Sequence, residues 1–192
     1  MISKEQASQN LKDFKAVLNE VGIPFYLDCG TLLGAIRDKG FCQDDQNDID
    51  LTTKIEYWDK IDELIEVARR NGFALYHKWD REYYLKETGK KTSSQASFRK
   101  DGGKIDLMFK YKKGDFQWHT LFKGMEVVYQ KVPLKFVEEL GTCMFYGVEY
   151  NIPKMADEYL RCKYGDYNIK IHRSNYSCYT TDISRVDSYE EI

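Results

Sequence analysis

The chain has 192 residues, enough to bury one sizeable core, and its 42% hydrophobic and 31% charged residues are those of an ordinary globular protein. With 29 basic against 31 acidic residues and a formal charge of −2, it lacks the basic excess of a general nucleic-acid binder, although a local phosphate pocket stays compatible with it. No run is long and apolar enough to span a bilayer, and the opening "MISKEQASQNLKDF" has no apolar leader core, so the expectation is a cytoplasmic protein with no integral membrane segment.

Lys4 to Val21 reads as an amphipathic helix, with Ala7, Leu11, Phe14, Val17 and Leu18 at helical spacing. Ser3 and Gln6 form a capping-box pattern at its start, and Gly22 closes it. "IPFYLD" (Ile23 to Asp28) reads as a short strand, "GTLLGAIRDKG" as a short helix opened by Gly30-Thr31 and stopped at Gly40, and "DIDLTTK" as a second strand. "IEYWDKIDELIEVARRNG" reads as another amphipathic helix ending at Gly72. Strand-like segments follow: "FALYHKW", "EYYLKE", "SSQASFRK", "GKIDLMFKYK", "GDFQWHT" and "MEVVYQ", broken by turn residues. Then come a helix-like "LKFVEEL", a hairpin candidate "TCMFYGVEYNI" with Gly147 at its tip, and a final helix in "PKMADEYLRCKYG", with Pro153 as its first-turn residue and Gly165 past its end. From about residue 166 the tail is polar and without period. One α+β domain over residues 1–192 is the simplest organisation.

The chemistry concentrates between Cys29 and Leu51, where four acids occupy the seven positions from Asp44 to Asp50. Like charges this close repel one another and call for a counter-ion. In "NDIDL", Asp48 and Asp50 alternate with Ile49 and Leu51, so on a strand the two carboxylates share one face, about 7 Å apart, while the apolar pair faces the core. Asp106 in "KIDLMF" supplies a third acid inside an apolar strand, which is costly unless it is paired or metal-bound. Taken alone, D-x-D is a common pattern and either aspartate can simply cap a turn. Asp44 and Asp45 read as a solvated loop. The Gly30-Thr31 turn offers backbone amides of the kind that bind phosphate, and Arg37 offers a charge-assisted contact; a steric turn and a solvated helix face are the plainer alternatives. Five dispersed cysteines and the scattered His77, His119 and His172 fit neither a zinc site nor a disulfide framework.

Gly30-Thr31-Leu32-Leu33-Gly34, Arg37, Gly40-Phe41, Asn47-Asp48-Ile49-Asp50-Leu51, the later Lys104-Ile105-Asp106-Leu107 and the closing Tyr164-Gly165-Asp166-Tyr167 together resemble the LicD/fukutin family, within the DNA-polymerase-β-type nucleotidyltransferase superfamily. The resemblance covers about Pro24 to Tyr167. It departs from the family's usual I-P-W-D-D entry to the acids, since this chain reads "FCQDDQNDID", and from the glycine that often follows D-I-D-h, here Thr52.

What the resemblance implies is a nucleotidyltransferase fold, with a mixed central sheet flanked by helices, that transfers a phospho-alcohol such as phosphocholine or ribitol phosphate. The donor would be a CDP-activated alcohol, the acceptor a glycan or glycolipid hydroxyl, and the by-product CMP. Asp48, Asp50 and Asp106 would be catalytic and hold Mg²⁺ or Mn²⁺, with Asp106 a ligand or the base. Gly30, Thr31 and Arg37 would meet the donor, with Arg99 and Lys104 as further phosphate or acceptor contacts. The alternatives are transfer of a nucleoside monophosphate from a triphosphate to a small molecule or protein, and a binding domain without turnover.

Overall fold

A computed structural model describes residues 2–42, 45–80, 94–123 and 126–170, with side chains described outside 120–129. Asp44, the strand-like run 82–87, His172, Cys178 and the tail beyond residue 170 lie outside the described residues.

Helix α1 spans Lys4–Val21. The Ser3 hydroxyl accepts from the Gln6 amide at 3.1 Å, and Gly22 ends the helix in the left-handed region (φ 69°). The chain then enters β1 (Tyr26–Leu27), α2 (Cys29–Leu33) with a wider π-type turn over Gly34–Asp38, β2 (Asp48–Lys54) and α3 (Ile61–Arg70). There follow β3 (Ala74–Trp79), β4 (Ser94–Lys100), β5 (Gly103–Lys113), β6 (Phe116–Lys123), β7 (Glu126–Pro133), the hairpin β8 (Leu140–Phe145) and β9 (Val148–Pro153), and α4 (Ala156–Tyr164).

The fold is α+β with a mixed central sheet in the order β1-β2-β5-β4-β3. Its one parallel pairing among the described strands, β2 with β5, lies at the centre. The end of β5 leaves this sheet to pair with β6, which pairs with β7. Ile49 and Leu51 on β2, Ile105, Leu107 and Phe109 on β5, and Ala96 and Phe98 on β4 form one apolar face. α1 and α3 cover it, Phe14 meeting Phe98 and Phe73 at 5.1 Å between ring centroids. Each fully buried Leu or Phe side chain there contributes about 1.5–3 kcal/mol.

Four elements differ from the sequence reading. Ile23 to Asp28 pairs as strand only at Tyr26–Leu27, because Pro24 has no N–H and its carbonyl accepts from the Thr53 hydroxyl at 2.6 Å. Ile55–Lys60 is a 3₁₀ segment, which turns Trp58 onto Phe109 (4.9 Å), and the α-helix starts at Ile61. Only Leu134–Phe136 of "LKFVEEL" winds, again as 3₁₀. Pro153 is the last residue of β9, where a missing donor is tolerated, and α4 begins later, at Ala156. No helix among the described residues is long and apolar enough to cross a membrane.

Candidate metal centre

Alternation on two neighbouring strands creates the site. The parallel register sets Asp48 opposite Lys104 and Asp50 opposite Asp106, while Ile49–Ile105 and Leu51–Leu107 alternate with them on the core face. Asp48, Asp50 and Asp106 therefore converge on the polar face, each offering an oxygen within 4.8 Å of the others.

The charges are balanced unevenly. The Lys104 ammonium lies 2.9 Å from Asp106 Oδ2 and 3.0 Å from Asp48 Oδ1. Burial opposes its charge, but Asp106 and Asp48 outweigh burial and hold Lys104 firmly protonated. Among the described residues no such cation pairs with Asp50. Burial first, and then the carboxylates of Asp48 and Asp106, push its carboxyl well above the usual range. Asp106 is 8% exposed, and its Oδ1 is buried without a hydrogen bond among the described residues. An all-oxygen donor set with an orphaned oxygen and a destabilised carboxylate suits a hard divalent cation, so the residues present fit Mg²⁺ or Mn²⁺.

Behind the acids sits a second device that sequence reasoning missed. Asp28, fully buried, caps α2 by accepting from the Cys29 amide at 2.6 Å. It also accepts from the Thr52 hydroxyl (2.7 Å), the Tyr159 hydroxyl (2.7 Å), Lys163 (3.1 Å) and Lys110. Burial disfavours the ionised Asp28, but Lys110 and Lys163 overcome it and hold the carboxyl well below its ordinary value. Lys110 lies on the same face of β5 as Asp106, an alternation visible in "DLMFK"; Lys163, inside the last helix, gives no comparable signal.

This network fixes α2, and α2 fixes Asp50. The Gly30 amide donates to Asp50 Oδ2 (3.2 Å), and the Asp50 amide donates to the Thr31 hydroxyl (2.9 Å). The turn expected to present amides to phosphate instead directs the Gly30 amide and the Thr31 hydroxyl at Asp50. A Cβ at Gly30 would stand 2.3 Å from Asp45 Oδ2, so Asp45 lies against this turn and not in a solvated loop. Gly34 is a close backbone approach: a Cβ there would meet the Gly40 carbonyl at 2.4 Å and the Cys42 amide at 2.9 Å.

The other expected contacts lie further out. Arg37 forms a two-pronged pair with Asp38 (2.7 and 3.1 Å) and donates to the Tyr167 carbonyl (3.1 Å), tying the Tyr-Gly-Asp-Tyr segment to the turn after α2. Arg99 is opposite Lys104 in register, but its guanidinium stacks 3.5 Å from the Tyr76 ring centroid. Of the expected contacts, Lys104 touches the triad directly, and Gly30 and Thr31 touch it through Asp50.

An α+β protein whose central strands bring three carboxylates to one point on a polar face is a candidate divalent-cation protein. The chain belongs to the LicD/FKTN/FKRP family: the family model described as "LicD/FKTN/FKRP, nucleotidyltransferase domain" matches residues 22–155. Among its relatives are proteins named ribitol-5-phosphate transferase FKTN, from Mus musculus (25% identical over 171 residues, 86% of this chain), Macaca fascicularis (26% over 171 residues, 86%) and Homo sapiens (26% over 168 residues, 84%). The chain spans about a third of the length of these relatives, 33% of each.

Proposed function

We propose that this chain is a metal-dependent transferase with a nucleotidyltransferase fold. It moves a phospho-alcohol, such as ribitol phosphate or phosphocholine, from a CDP-activated donor to a glycan or glycolipid hydroxyl and releases CMP. The observation that carries this reading is the convergence of Asp48, Asp50 and Asp106 within 4.8 Å, with a buried oxygen of Asp106 left unpaired among the described residues. Family membership and the names of the FKTN relatives support the direction of transfer.

Mg²⁺ or Mn²⁺ held by the three carboxylates would neutralise charge on the donor diphosphate. The residues of the chain do the rest. Gly30 and Thr31 hold Asp50 by its carboxylate and its amide, so that the acid keeps one orientation. Asp106, whose Oδ1 is short of donors, would serve as a ligand of that ion or, in place of that, as the base that takes the proton of the acceptor hydroxyl. The acceptor oxygen forms a bond to the distal phosphorus, the bond from that phosphorus to the oxygen of CMP breaks, and the proton passes to the carboxylate. Arg37 pins the Tyr167 segment beside the turn that α2 enters.

The test is a release assay with CDP-ribitol, CDP-choline, CDP-glycerol and nucleoside triphosphates, each with and without Mn²⁺. Metal-dependent CMP from a CDP-alcohol in the presence of a glycan acceptor supports the proposal. Pyrophosphate from a triphosphate, without CMP from any CDP-alcohol, refutes it in favour of nucleotidyl transfer.

A further inference from the structure

We propose that Lys104 is a resident cation of the acidic site, which the divalent ion must displace in order to bind. The inference rests on the reading of Asp48, Asp50 and Asp106 as a metal centre. One ammonium stands 2.9 Å from Asp106 and 3.0 Å from Asp48, and so occupies the charge position between two of the three carboxylates. It comes from β5 itself, two residues before Asp106, on the same face of the strand.

Three features mark the position as exchangeable and not purely structural. The Lys104 side chain is 29% exposed, unlike the Asp28 partners Lys110 and Lys163 at 3% and 1%. Its stem is flexible, and an ammonium is a compact charge that can move without rebuilding the strand. Among the described residues it leaves Asp106 Oδ1 without a hydrogen bond, so it satisfies only part of the site. An incoming divalent ion brings two charges to the same oxygens and repels the ammonium. Lys104 then becomes available to an anion arriving at the same face, which is the chemistry of a donor diphosphate. Metal binding is thus an exchange of cations, and the lysine discounts the affinity of the free ion.

The test measures Mn²⁺ binding by calorimetry, without nucleotide, for the wild type, Lys104→Met, Lys104→Gln, Lys104→Arg and Asp50→Asn. The Met and Gln variants are expected to bind Mn²⁺ about tenfold more tightly than wild type, because the competitor is gone, while Lys104→Arg stays weak. A loss of structure would lower affinity, so a gain separates competition from scaffolding. In the wild type, acetylation of Lys104 followed by mass spectrometry is expected to speed up several-fold when Mn²⁺ saturates the protein, with exposed Lys112 as the unchanged reference. Equal or weaker binding in Lys104→Met and Lys104→Gln overturns the exchange while leaving the metal centre standing. If these variants do not fold, unchanged acetylation of wild-type Lys104 overturns it. If neither wild type nor the neutral variants bind Mn²⁺, or Asp50→Asn binds as well as wild type, the metal reading itself falls.

Discussion

Lys163 on the last helix lies 3.1 Å from Asp28, the residue that caps the helix carrying Gly30 and Thr31. Both side chains are buried, and Lys110 from the central strand reaches the same carboxylate. The last described helix, which lies beyond the matched residues 22–155, the middle of the sheet and the turn that holds Asp50 thereby meet at one anion.

Asp28→Asn should therefore be among the most damaging single changes. It leaves two buried lysines without their shared counter-charge, at a cost of about 3–5 kcal/mol. Denaturant unfolding should show that loss, and proteolysis should show α4 loosening first. A stability within 1 kcal/mol or so of wild type would contradict the network as described.

The same carboxylate sets an acid limit. The folded Asp28 carboxyl is held well below its ordinary value near 3.9, so its contribution is complete above that value and is lost as pH falls below it. The sign follows because the unfolded chain takes up the proton first. Melting temperatures between about pH 5 and pH 2 should fall more steeply for wild type than for Asp28→Asn, whose position 28 no longer titrates.

Asp50→Asn acts in the opposite sense. Its carboxyl is pushed up by burial and by its neighbours, so its ionised form weakens the metal-free fold at neutral pH. The variant should melt at the same temperature as the metal-free wild type or a few degrees higher, by about 1 kcal/mol or less, and should gain nothing from Mg²⁺. Calorimetric scans with and without the ion measure both, and CMP release should be absent.

Thr31→Val keeps the shape of the side chain and removes the acceptor of the Asp50 amide. An unpaired, partly buried N–H should cost about 1–3 kcal/mol, and Thr31→Ser should restore most of it. If Thr31 acts by aiming Asp50, Mn²⁺ affinity will fall in the valine variant and return in the serine one.

Gly34→Ala should destabilise by about 1–3 kcal/mol, because the methyl group would run into backbone at Gly40 and Cys42 and not into a movable side chain. Hydrogen exchange over 40–42 is the readout, since that backbone must shift to admit it.

Much of this was legible in the sequence wherever two faces differ in polarity. α1 was bounded by its periodicity and caps, and Ile49/Leu51 against Asp48/Asp50 gave both the strand and the direction of its acids. Asp106 was read as the third acid from a neighbouring strand, and the structure supplies the register that sets it opposite Asp50. What stayed hidden was charge used internally. Lys110 and Lys163 look like surface residues until Asp28 is placed between them. Gly30 and Thr31 have the composition of an anion turn, and only the tertiary arrangement shows that the anion they meet is the chain's own Asp50. Pro153 could open a helix or end a strand, and the ladder with Leu140 decided it.

The parallel pairing of β2 with β5 carries one more consequence. A slip of a single residue would turn Ile49 and Leu51 out into water and drive both aspartates into the oily layer beneath α1 and α3. The alignment of the three acids is thus policed from the opposite side of the sheet, by side chains of its apolar face. Trimming that greasy layer, for instance by Ile105→Ala, should blur the positions of the acids without touching any of them.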